Sequence, residues 1–200
     1  MNRLARPWEA LRIPLAITRQ TQDTLISKTD MGLVGEILFH RIETLQNAII
    51  SARHPDFDVE QLLASVMQFA ELSSAIVKEI EVRRDGTWGQ RLLKDRVAVG
   101  NLMDGFMDRA VKEINAALPV QKSGSFAGGP KYPDFSRLVE PDRIECALRY
   151  ARLIVGCRAF APAASFGAKQ KNAHEEATAI VRRYTEDLVK EMRSGEGARR

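Results

Sequence analysis

Three consecutive stretches of this chain repeat their apolar residues every three or four positions, and the joints between them are very short: HPDFD at 54–58 and DGT at 85–87. Joints of that length force neighbouring helices to run antiparallel, as in an up-down bundle. The first stretch, residues 31–53, holds Val34, Ile37, Leu38, Ile42, Leu45, Ala48, Ile49 and Ala52 within an arc of about 140° at 100° per residue. A Thr29-Asp30 capping signal precedes it and His54-Pro55 follows. Asp58 with Gln61 is a capping-box variant for the second, Val59 to about Arg83, with Leu62, Val66, Phe69, Leu72, Ile76 and Ile80 in register. Thr87 with Gln90 opens the third, where Leu92, Val99, Met103, Phe106, Met107, Ala110, Ile114 and Leu118 share a face and Pro119 closes the run. Gly100 and Gly105 inside it cost about 1 kcal/mol each unless close helix contact offsets them.

Pro141 suits the first position of a further helix running to about Ala161, where Pro162 ends it. APAASFGAKQ reads as a connector, and the last helix, about Asn172 to Arg193, puts Ala177, Ile180, Val181, Tyr184, Leu188 and Met192 on one side. Pro14 is expected to begin a short helix over Leu15 to Ser27. The expected fold is all-α: an antiparallel bundle of about five to six helices in a single domain, with an N-terminal appendage at 1–30, a long Gly/Pro-rich connector at 119–140 and a disordered tail at 194–200. A chain of 200 residues buries roughly 70% of its unfolded surface on folding, so neither metal nor disulfide is needed to hold a core. Cys146 and Cys157, if on one helix, stand about 16 Å apart along its axis, beyond the reach of a disulfide. They read as small core hydrophobes.

The stretch KSGSFAGGPKYPDF, Lys122 to Phe135, looks at first like a phosphate cradle. Gly124 and Gly129 have the right spacing, but Pro130 stands where a phosphate-binding lysine is required, Lys131 is followed by Tyr132, and Pro130 with Pro133 prevents a helix from starting there. Metal chemistry in a bundle needs inward carboxylates paired with histidine. Glu36 and His40 lie off the apolar arc and are expected to face water, while His54 and His174 are scattered. Asp104 and Asp108, one turn apart, have no second acidic pair on another helix and read as solvated charges beside Arg109 and Lys112. No turn presents a serine as a nucleophile elbow would. No catalytic residue, metal ligand or cofactor is therefore expected.

The net charge is +4, and the basic excess sits in residues 119–200, with fifteen basic and ten acidic side chains. Arg143, Arg149, Arg152 and Arg158 scatter around their helix, and Arg182-Arg183 sits among Glu176, Glu186, Asp187 and Glu191, so no backbone-tracking stripe forms. The N-terminus lacks a continuous apolar signal region and no run approaches a membrane span; a soluble, cytoplasmic protein is the expectation. The functional expectation is a non-catalytic protein-protein interaction or scaffold module that binds another protein or itself. Phe126, Lys131, Tyr132, Phe135 and Arg137, on a connector that is long and aromatic for its type, are the candidate partner-binding residues. The alternatives are a nucleic-acid-binding protein using the basic last third and an enzyme or small-ligand binder with a pocket inside the bundle.

Overall fold

A computed structural model describes residues 16, 22, 26–52, 56–79, 82–83, 86–121, 132–134 and 140–197. Among them are five helices: α1 (Met31–Ser51), α2 (Val59–Glu79), α3 (Thr87–Ala117), α4 (Pro141–Gly156) and α5 (Gly167–Gly197). The fold is all-α, as the periodicity predicts. The short helix expected over 15–27 lies almost wholly outside the described residues.

Local chemistry sets the helix starts, with two departures from expectation. Asp58 caps α2 as its spacing to Gln61 predicts, its Oδ1 accepting the Gln61 N–H at 3.1 Å. At α1 the Thr29-Asp30 signal goes unused: Asp30 makes no side-chain cap, and the Thr29 hydroxyl donates instead to the Ile26 carbonyl at 2.8 Å. Gly86, not Thr87, is the N-cap of α3.

Packing then closes a ring. α1 lies against α2 and α3, α2 against α4, and α3 against α4, so the first four helices enclose one core. Phe39, Ile42, Phe69, Leu72, Val99, Met103 and Tyr150 are fully or almost fully buried there, and each such side chain contributes about 1.5–3 kcal/mol by leaving water. The Tyr150 ring meets Phe57 edge-on, with centroids 5.0 Å apart. α5 packs on the outer side of α3, where Lys169 holds Asp108 at 2.6 Å.

Three expectations are corrected. Ile37, counted as core, is 65% exposed, because α1 is turned so that Gly35 and Phe39 face Trp88. A Cβ at Gly35 would collide with the Trp88 ring, so glycine is what lets the indole in. Gly100 and Gly105 do not both serve close helix packing: Gly100 faces the Ser165 carbonyl, and Gly105 faces open space. α4 stops at Gly156 rather than Ala161, and the chain turns through Cys157 to Ser165 before α5 begins. There the Phe166 N–H reaches the Ala161 carbonyl at 3.0 Å and Ser165 takes a φ of 70°, the left-handed position that closes a helical turn. Buried Gln170 donates to the Ile154 carbonyl at 2.8 Å, satisfying an orphan group at the end of α4. α5 consequently starts at Gly167, and it continues to Gly197, past the expected Arg193.

The connector also has internal order that period counting does not show. Its limbs form a two-residue antiparallel ladder, β1 (Val120–Gln121) with β2 (Tyr132–Pro133), locked by the Asp134 N–H donating to the Pro119 carbonyl at 2.9 Å.

Candidate functional site

A sizeable concavity among the described residues follows from the way α4 and α5 share α3. Both helices pack on its second half but scarcely touch each other, leaving a groove of about 480 Å³. Ile114 and Ala117 of α3 form the floor, Ile144, Leu148, Ala151 and Val155 of α4 one wall, and His174, Ala177, Thr178, Val181 and Arg182 of α5 the other. The groove exists because small residues, Ala117, Ala147, Ala151 and Ala177, occupy its deeper positions. Leu148 and Val155, at its rim, are 53% and 60% exposed. Only His174 and Arg182 among the lining residues are ionisable, so the site has apolar area and shape but no set of groups to move protons or hold a metal.

Several charged groups elsewhere hold helices together. Arg91 donates to Glu36 and to Glu43, each at 2.7 Å, and its guanidinium lies 4.7 Å over the Phe39 ring. Glu36 faces water as expected and is also part of a clamp between α1 and α3, while His40 stays exposed 3.9 Å from Glu43. One turn on, Asp95 is buried with Oδ2 unpartnered, and burial raises its pKa against the pull of Arg91. Asp108 is exposed, as expected of a solvated charge, and also forms a strap to Lys169, whose hydrogen bond to it holds the ammonium pKa up. Asp104 has one buried carboxylate oxygen without a partner. Among the described residues no group of three or more His, Cys, Asp or Glu side chains is placed to hold a metal. Both cysteines are free; burial pushes the Cys157 thiol up to about 12, which removes it from nucleophilic chemistry near neutral pH.

The basic last third is partly neutralised where it is described. Arg143 bonds Glu140 at 2.7 Å, and Arg149 sits between Glu145 at 3.2 Å and Asp56 at 3.5 Å. Of the connector residues singled out in the sequence, Phe126, Lys131, Phe135 and Arg137 lie outside the described residues, and Tyr132 is placed in β2 by its backbone. β2 lies against α5, close enough that the Asp134 charge adds to burial in raising the Tyr184 phenol. The neck of the connector therefore stands near the end of the groove that Leu118 lines.

The groove's place between α4 and α5 is absent from the sequence-based expectations, which put Val181 and Met192 on one side of the last helix with Ala177; they are 45% and 63% exposed, while Ala177 is buried. Its signal was present in the alanines at 147 and 151, one turn apart on α4. No described helix is long and apolar enough to cross a membrane. No protein-family model, no curated protein and no solved structure matches the chain.

Proposed function

We propose that the chain is a non-catalytic helical interaction module whose working surface is the groove between α4 and α5. The observation that carries this is an open apolar concavity, rimmed by exposed Leu148 and Val155, with only two ionisable groups in its lining. Such a surface gains free energy by being covered, at about 25 cal/mol per Å² of apolar area, and a partner helix presents apolar side chains at the spacing a two-walled groove accepts. A nucleic-acid surface is less well supported, because Arg143 and Arg149 are already bonded to carboxylates.

The test is a photo-crosslinking amino acid at position 148, with exposed Val97 on the far part of α3 as the control position. Illumination in cells is expected to join position 148, and not position 97, to a polypeptide. An absence of polypeptide adducts, together with a small apolar molecule extracted from the native protein, would overturn the proposal in favour of a ligand pocket.

A further inference from the structure

The groove reading leaves its occupant open, and α5 itself carries the pattern that would fill it. His174, Thr178 and Val181 line the groove. Continuing by helical steps of three and four residues, the same side of α5 carries Thr185, Val189 and Met192. Val181, Val189 and Met192 are 45%, 39% and 63% exposed, so the stripe continues the groove and carries three exposed apolar side chains among uncharged threonines. The wall opposite begins with Ile144 near the start of α4, whereas α5 runs on from Val181 to Gly197, about 24 Å of further helix.

Along one edge of this stripe lie Glu175, Arg182, Glu186 and Arg193, spaced seven, four and seven residues apart. The order acidic, basic, acidic, basic is self-complementary when a helix meets an identical one running the other way. Antiparallel pairing puts Glu175 opposite Arg193 of the second copy and Arg182 opposite its Glu186. The same alignment layers His174 on Met192, Thr178 on Val189 and Val181 on Thr185 of the second copy. The stripe pairs centre on residues 183 to 183.5 and the charged pairs on residue 184, within one residue or about 1.5 Å of helix rise, so one two-fold axis near that point serves both the stripe and the charged edge.

The alternatives are disfavoured by the same charges. Parallel pairing puts this charged edge of the two helices on opposite sides of the seam, so none of its four charges meets its complement. Sliding the antiparallel register by one heptad brings Arg182 to Arg193 in one direction and Glu175 to Glu186 in the other, and like charges at such positions repel. Arg182, Arg183, Glu186 and Arg193 are exposed.

We infer that the occupant of the groove is the second half of α5 from a second copy of this chain, so that two molecules join through antiparallel α5 helices about an axis near Arg183 and Tyr184. This rests on the groove being a docking surface and names what docks there. Each molecule lays the Thr185 to Met192 stretch between α4 and α5 of the other, so the two contacts are identical and the assembly closes at two subunits.

The test measures the mass of the purified full chain by light scattering and native mass spectrometry across a concentration series. The wild type is expected to be a dimer. Val181→Asp, which buries an unpaired charge in the seam, is expected to weaken it by about a hundredfold or more. Arg182→Glu and Glu186→Arg, each replacing two attractive pairs by two repulsive ones, are expected to raise the dissociation constant about tenfold. An equimolar mixture of those two variants is expected to regain the dimer as a mixed pair, because each reversed side chain then meets its opposite. All three positions are exposed, and unchanged circular dichroism confirms that the monomer is intact. A folded wild-type monomer at every concentration, a dimer indifferent to Val181→Asp, or a mixture that fails to pair would each overturn the inference. In those cases a position-148 adduct to a different polypeptide keeps the groove as a docking surface, and the absence of any adduct removes that reading too.

Discussion

α2 and α5 look alike as amphipathic sequences, yet their apolar stripes meet different ends. In α2, Leu62, Val66, Phe69, Leu72 and Ile76 are all 2% exposed or less, enclosed by α1 and α4. In α5 only the beginning of the stripe, at Ala173 and Ala177, is buried; Ile180, Tyr184 and Leu188 are half-buried, and Val181 and Met192 are open. A hydrophobic period states that a helix has a face to bury, and the number of neighbouring helices decides whether it is buried within the same chain. The ring of α1 to α4 supplies those neighbours to α2. The outer side of α3 supplies one floor and one distant wall to α5.

The strongest way to break this contrast is to truncate one side chain on each side of it. Phe69→Ala removes a fully buried ring from the closed ring of helices and is expected to cost about 3–5 kcal/mol of stability. Leu148→Ala, at the rim of the groove and 53% exposed, is expected to stay within about 0.5 kcal/mol of wild type. Denaturant titrations at concentrations that keep the chain monomeric measure both, and comparable costs at the two positions would mean that the groove is not an open surface.

Next in size is Gly35→Ala. The added methyl points into the Trp88 ring, itself packed on Phe39 with centroids 5.8 Å apart. The indole must move or α1 must rotate back, at an expected cost of about 1–3 kcal/mol. An unaltered melting temperature would show that the seam between α1 and α3 is looser than the buried residues indicate.

The closed side also contains a buried, under-satisfied carboxylate, Asp95, and pH sharpens the comparison there. Burial raises the pKa of Asp95, with Arg91 opposing. The folded-state value lies above that of the unfolded chain, so the ionised form is the penalised one. The penalty is present at neutral pH and is relieved as pH falls through the raised value toward the ordinary carboxylate range near about 4. Asp95→Asn, which mimics the neutral form, is expected to stabilise the fold by about 1 kcal/mol at neutral pH and to lose that advantage as the medium is acidified. An advantage constant between these pH values would assign the effect to packing rather than charge.

The ring was legible in the sequence because its signals are local: the 54–58 and 85–87 joints, the Asp58 cap and the three-and-four spacing of Leu62 to Ile76. What failed was the rotation of α1, since Ile37 and Phe39 compete for the core and the winner depends on Trp88, almost fifty residues further on. The end of α4 failed for a similar reason. Pro162 is a visible stop, but the helix ends at Gly156, where a Cβ would come within 2.6 Å of the Leu63 side chain on α2. The groove was only hinted at: Ala147 and Ala151 mark a strip of small residues on α4, but a period read along one helix carries no information about the distance to the next.

The smallest predicted effect tests that same boundary between local and distant information at a pair of glycines. Gly100 and Gly105 look identical along the sequence, as interior glycines of one helix. At Gly100 a Cβ would stand 3.3 Å from the Ser165 carbonyl oxygen, whereas at Gly105 nothing lies within 4 Å. Gly105→Ala therefore keeps every contact and removes only the entropic cost of fixing glycine in a helix, with an expected gain of about 0.5–1 kcal/mol. In a chain of this size that raises the melting temperature by about 1–4 °C. Gly100→Ala draws on the same entropy but must push back the turn that holds the left-handed Ser165, so its gain is expected to be smaller or reversed in sign. Equal gains at both positions would show that the turn between α4 and α5 yields freely, and that the second wall of the groove is not held where α3 and Ser165 place it.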